Sequence, residues 1–467
     1  MADSAAGGQV PAAALERLVR VAQAERRSPS VVAAVVHGRD VVWSTAVGIA
    51  APGSGGDAGA DRAAATPTTA PTPATVDHAY RVGSITKTFT AVAILQLRDQ
   101  GALDLDDRLE QHLDMPAHRG PTIRRLLAHL SGLQREPPGA IWQSLVDHDE
   151  QELLARLPEA EQALPPGQRF HYSNLAFALL GQVVARRAGA PYETVVRERL
   201  LEPLGLARTS FDPTAPHAQG LYVRPWEDAV DPEPHVRLVA TAAAAQLWST
   251  AADLCAWGAF LADPDPAVLA PGTAEELRVP QTISDEAAWL RGFGLGVILY
   301  RRGERIYVGH GGAMPGFLAE VVYAPKDRVG AVVLVNTTAG FDTQALALDL
   351  AEKAAEALAG PDEWRPGRTA PAALRSVLGS WWLEGAELTF RWRDDALEAQ
   401  PVGAALGRFV SRFAPEGDDL YRVAAGRERG ELLRLHRGPE GAVESMTWAT
   451  YAVTRQPQSF VAAGDET

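Results

Sequence analysis

The chain has 467 residues, enough for more than one hydrophobic core, so two domains are expected. Its 46% hydrophobic and 22% charged content excludes global disorder, and a net charge of −14 argues against nucleic-acid or anionic-membrane partners. One cysteine, Cys255, excludes an intrachain disulfide, and 11 scattered histidines without ligand spacing predict no metal and no other cofactor.

Met1-Ala2-Asp3-Ser4-Ala5 has no basic start and no apolar core behind it, and no run reaches membrane-spanning length, so a cytoplasmic location is expected. Leu15, Leu18, Val19 and Ala22 make one face of an opening helix. Residues 31–36 and 41–47 read as a strand pair turning at His37-Gly38-Arg39-Asp40. Residues 51–77, nearly devoid of large apolar side chains, read as a flexible surface insertion.

Ser84-Ile85-Thr86-Lys87 then sets a hydroxyl and an amine at i and i+3, on one helix face. Residues 86–97 contain neither Gly nor Pro, and Gly101 is a plausible stop. A serine hydroxyl needs a neighbouring base to become a nucleophile, and lysine serves only when its surroundings keep it neutral. Glu136, Asp147, Asp149 and Glu150 read as solvated surface. Tyr172-Ser173-Asn174 stands between the turn Pro165-Pro166-Gly167 and an apolar helical run at 175–184. Thr250 and Asp253 suit a helix capping box, and Cys255 after them reads as a packed thiol. Strand-like runs follow at 294–300, 305–309, 317–323 and 330–336, with His310-Gly311-Gly312 ending the second, and a last helix is predicted at 342–359.

Ser-x-x-Lys, Tyr-x-Asn and His-x-Gly, in that order, resemble the active-site trio of the serine β-lactamase and penicillin-binding protein superfamily. The nearest pattern is the class C β-lactamase, esterase and D-aminopeptidase branch. Residues 31–48, 123–133 and 247–254 extend the resemblance across about residues 15–360. It implies an α/β (α+β) sandwich: an antiparallel sheet built from both chain ends, with a helical subdomain. By resemblance Ser84 is the nucleophile, and Lys87 and Tyr172 are candidate bases. Both have ordinary pKa values near 10, so at least one must be lowered; a phenolate–ammonium pair and a neutral pair both remain open. Asn174 is placed to hold Lys87 and a substrate carbonyl. The resemblance implies an oxyanion hole at the N–H groups of Ser84 and Ala313, with Gly311 and Gly312 expected to leave room for substrate backbone. His310 departs from the lysine usual at that position. A neutral imidazole anchors a carboxylate poorly but can donate a hydrogen bond or relay a proton, which favours esters, amides or thioesters over β-lactams.

Composition shifts after Trp364-Arg365-Pro366-Gly367, which predicts domains at 1–364 and 365–467. Strand-like segments at 387–392, 432–436, 445–448 and 451–454 suggest a small antiparallel barrel or sandwich. With Leu378-Gly379-Ser380-Trp381 it resembles the lipocalin-like domain appended to some of these hydrolases, with Trp381, Trp382, Trp392 and Trp448 read as core. The combined pattern looks like stand-alone penicillin-binding-protein-type thioesterases, which release or macrocyclise nonribosomal peptidyl thioesters, free or carrier-bound. Arg455 is the candidate contact for the acyl chain's terminus. The rival readings are an intracellular esterase or D-aminopeptidase and, in a different class, a non-catalytic acylated sensor or peptide-binding module.

Overall fold

The computed structural model describes residues 10–53, 69–359, 366–405 and 408–458. Two compact units divide the chain between Gly360 and Pro361. Within the expected insertion, 54–68 lie outside the described residues, as does the expected boundary at 364/365. The insertion's far end is ordered: Thr72–Pro73 pairs with the strand Asp40–Ala51, so this part of the expectation is corrected.

The first unit is organised by a nine-stranded antiparallel sheet. Its order runs Thr72–Pro73, Asp40–Ala51, Ser30–His37, Val329–Val335, Phe317–Ala324, Arg305–Met314, Ile298–Arg302, Arg291–Phe293 and Thr282–Ile283. Ser30–His37 lies against Val329–Val335, with Val31 opposite Val335, which joins the two ends of the unit. Both strands are apolar on both faces because both faces are covered. Val31, Ala33 and Val35 pack with Leu15 and Val19 of helix Ala12–Glu25 and with helix Thr343–Leu358. Val32, Ala34 and Val36 alternate to the other side and join the core of the helical layer.

Thr86–Asp99 is the central helix of that layer, with every residue from Thr86 to Leu97 buried. Its threonines are satisfied. Thr88 accepts from the Trp257 indole at 2.7 Å, and Thr90 donates to the Ala243 carbonyl at 2.7 Å. Between Asp99 and Phe293 the chain is mostly helix and loop, but not wholly helical. Leu221–Val223 pairs with Val230–Pro232, and Trp248–Ser249 pairs with Tyr80–Arg81 just ahead of Ser84. The capping box at Thr250 is half present: its side chain accepts from Asp253 N, while Asp253 binds Arg208 N and Thr209 instead. Among the described residues no helix is long and apolar enough to cross a membrane.

The second unit is a closed eight-stranded antiparallel barrel running from Gly379–Leu383 to Tyr451–Thr454, closed where Trp382 faces Thr454. Its core holds Trp381, Phe390, Phe413 and Trp448. Trp392 only packs against that core and Trp382 is half-buried, so two of the four tryptophans read as core lie at its edge.

Candidate active site

Ser84 sits in a single tight turn, Gly83–Ile85, that leads directly into helix Thr86–Asp99. Lys87 is therefore one turn further on the same face, and its Nζ lies 3.0 Å from Ser84 Oγ. Nζ also donates to the Ala244 carbonyl at 2.9 Å and stands 4.9 Å from the Tyr172 ring centre. Burial drives the Lys87 pKa well below its ordinary value; Glu136 opposes this and Arg135 adds to it. Tyr172 is shifted the other way. Desolvation raises its pKa, and the Ser84 hydroxyl only partly offsets that. Both directions select the neutral amine–phenol pair over phenolate and ammonium.

Tyr172 is held by the 123–133 segment. His129 stacks on its ring at 4.2 Å, accepts from Ser173 N through Nδ1 at 3.1 Å, and its carbonyl accepts from His171 N. Phe170 and Phe293 close the rest of this aromatic cluster. His129 escaped the sequence reading as a site residue, although its segment was singled out.

Asn174 opens helix Asn174–Ala188 beneath an N-cap by Ser173. The expectation that it holds Lys87 is corrected. Its Nδ2 donates to Glu136 Oε1 at 2.7 Å, and its buried Oδ1 has no partner. Glu136 therefore belongs to the site rather than to solvated surface. Asp147 is also misread as surface: one oxygen accepts from Val239 N, Thr241 N and the Thr241 hydroxyl, pinning the chain just before Ala244. Asp149 caps helix Glu150–Arg156.

His310 is buried on strand Arg305–Met314. Its Nδ1 donates to the Gly311 carbonyl at 2.6 Å, so its donor capacity is spent and Nε2 is left as an unpartnered acceptor. Burial and Lys87 push its pKa down to about 3, so it stays neutral. The expected donor or proton relay is thereby corrected to an acceptor. The glycines are corrected too. A Cβ on Gly312 would sit 1.9 Å from the Val82 carbonyl, and one on Gly83, at φ +51°, would sit 2.7 Å from Ala313 N. The room they leave is filled by the protein's own nucleophile turn: a Cβ on Gly312 would also lie 3.1 Å from Ser84 N, so turn and strand are in close contact. A Cβ on Gly311 would strike the buried Glu320 carboxylate at 2.5 Å.

Arg455 belongs to the barrel's own structure. Its guanidinium stacks 3.7 Å from the Trp381 ring centre and donates to the Ser380 and Ser376 carbonyls. The side chain is thus engaged within the barrel while the residue stays exposed at its surface.

The family described as Beta-lactamase matches residues 15–356. The chain belongs to the β-lactamase family. Residues 370–455 match a domain of unknown function, DUF7586. Beta-lactamase-like protein 2 of Dictyostelium discoideum is 29% identical over 70% of this chain, which spans 59% of that protein's length. The D-aminopeptidase of Brucella anthropi is 25% identical over 91% of this chain and 76% of its own. The crystal structure of a D-stereospecific amidohydrolase from Streptomyces sp. covers 72% of this chain and 97% of its own, at 27% identity and TM-score 0.57. This β-lactamase-family chain is a serine hydrolase.

Proposed function

We propose that the protein cleaves an amide or thioester bond on the carbonyl side of a D-configured residue, through an acyl-enzyme on Ser84. The observation that carries this is the buried Lys87 amine 3.0 Å from the Ser84 hydroxyl, in surroundings that disfavour its charge. The D-configuration is supported by the likeness to a D-aminopeptidase and a D-stereospecific amidohydrolase.

In the first half-reaction the neutral Lys87 takes the Ser84 proton as Oγ attacks the carbonyl carbon. The negative charge that develops on the carbonyl oxygen is met by the N–H groups of Ser84 and Ala313, each worth roughly 3 kcal/mol of barrier. Collapse of the adduct breaks the bond to the amine or thiol. The Tyr172 phenol, kept protonated, passes a proton to the leaving group and is refilled from Lys87. In the second half-reaction water or an amine attacks the ester, its proton goes to Lys87, and Ser84 leaves with a proton. His310 Nε2 serves as an acceptor for a substrate N–H, and the Asn174–Glu136 pair orients the acyl chain.

Release of a peptidyl thioester, including its macrocyclisation by an internal amine, is the finer form of this reading. The test is a synthetic peptidyl thioester ending in a D-residue, with its L-epimer as control. Ser84-dependent turnover of the D-substrate alone is expected. A product one water lighter than the acid would assign cyclisation, and linear acid would assign hydrolysis. Turnover that survives Ser84→Ala would overturn the nucleophile assignment.

A further inference from the structure

Arg81 stands three residues before Ser84, on the short strand paired to Trp248–Ser249, and only 2% of its surface is exposed. A buried guanidinium ordinarily has a carboxylate partner, because an uncompensated charge in a protein interior is costly. Among the described residues Arg81 has a neutral one: Gln246 Oε1 at 2.8 Å, an acceptor already shared with Leu238 N. Its Nε is buried without any acceptor. The register neighbour Trp248 repeats the pattern, with a buried indole N–H that has no partner. Two unsatisfied donors on adjacent strands call for an explanation in a native fold.

Arg81 and Trp248 both line one cavity, of about 460 Å³. His217 and His235 flank it, their rings each 5.8 Å from that of Trp248, and Phe317 and prolines complete an apolar wall. Ser84, Lys87, Tyr172 and His310 are not among the lining residues. Glu233 is its single lining acid, and its carboxylate is engaged by the Thr338 hydroxyl at 2.5 Å.

We propose that this cavity is a second binding site, for the carboxylate of a small, largely apolar organic acid. Arg81 and the Trp248 N–H hold the carboxylate, and the Trp248 and Phe317 rings hold the organic body. A charged acceptor on a guanidinium makes a stronger hydrogen bond than a neutral one such as Gln246. Glu233 disfavours a dianion such as phosphate, because like charges in a partly buried cleft repel. Arg81 lies on the chain that becomes the nucleophile turn, and Phe317 follows the turn after Ala313, so occupancy bears on both elements that surround Ser84.

The experiment is calorimetric titration of the full chain with phenylacetate, phenylacetamide and inorganic phosphate, with 4-bromophenylacetate located in crystals by bromine anomalous scattering. One phenylacetate per chain at millimolar affinity or better is expected, with phenylacetamide at least about tenfold weaker, phosphate weaker still, and bromine between Trp248 and Phe317. Arg81→Gln should lose phenylacetate binding about tenfold or more. Should that variant not fold, Trp248→Phe, which keeps a ring and removes the donor, should weaken binding severalfold. Equal binding of the neutral amide, phosphate bound in preference to phenylacetate, bromine located at Ser84, or no heat at millimolar ligand would each overturn the proposal.

Discussion

At the residue scale the deciding quantity is charge. Lys87 can act as a base only in the fraction that is neutral, and burial lowers its pKa well below the ordinary lysine value. The rate should therefore rise with pH through that lowered pKa and then level, while His310, at about 3, adds no limb near neutrality. A kcat/KM profile checks this, and a flat profile that persists in Lys87→Ala would remove the amine from the chemistry. Tyr172→Phe should lose several orders of magnitude, non-additively with Lys87→Ala, because the two act as one unit. Glu320 offers a stability test of the opposite sign. It is buried beside Gly311, accepts from the Tyr300 hydroxyl at 2.5 Å, and burial pushes its pKa up to about 8. A raised folded-state pKa stabilises fully below the unfolded value near 4.5 and loses that contribution as pH rises through about 8. Stability should fall over that window by up to about 1.4 kcal/mol per pH unit. Thermal unfolding of Glu320→Gln should show a shallower decline there than the native chain; identical slopes would exclude Glu320 as its source.

At the element scale the site depends on one strand end meeting one turn. Gly312 lets strand Arg305–Met314 touch Val82, and no side chain fits in that gap. Gly312→Ala must push the strand off the nucleophile turn, at a cost of about 1–3 kcal/mol in stability and with a larger loss in kcat, because Ser84 N and Ala313 N separate. Chemical denaturation and single-turnover kinetics together separate the two effects; a variant that loses stability but retains kcat would show that the amide pair is not strained by the shift. The Ser84-to-Lys87 spacing was legible in sequence, since i, i+3 on a helix is local geometry. The partners of Asn174 were not, because Glu136 reaches it from a loop 38 residues earlier. His129 and Asp147 were missed for the same reason, each acting on a segment brought near by the fold.

At the scale of the whole molecule the two units have, among the described residues, separate cores and no shared strand. Ending the chain after Leu358 should leave a folded first unit that still hydrolyses small esters, with any loss confined to peptidyl substrates. Circular dichroism and fluorophosphonate labelling check this, and equal loss on both substrate classes would make the barrel a structural requirement. Local order decides what the sequence sets alone: the apolar strand runs at 31–36 and 330–336, the helix after Ser84, the trio of motifs and hence the family. Several barrel strands were invisible: 411–417 and 420–425 are polar and largely exposed, and 396–401 is buried but carries Glu398 and Gln400 among its apolar residues, so none shows clear apolar alternation. Tertiary structure alone decided the opposite pKa shifts of Lys87 and Tyr172, the acceptor role of His310, the stacking of Arg455 on Trp381 and the neutral partner of the buried Arg81 guanidinium. Each depends on desolvation and on partners distant in sequence, and burial is a property of the packed chain, not of any four residues within it.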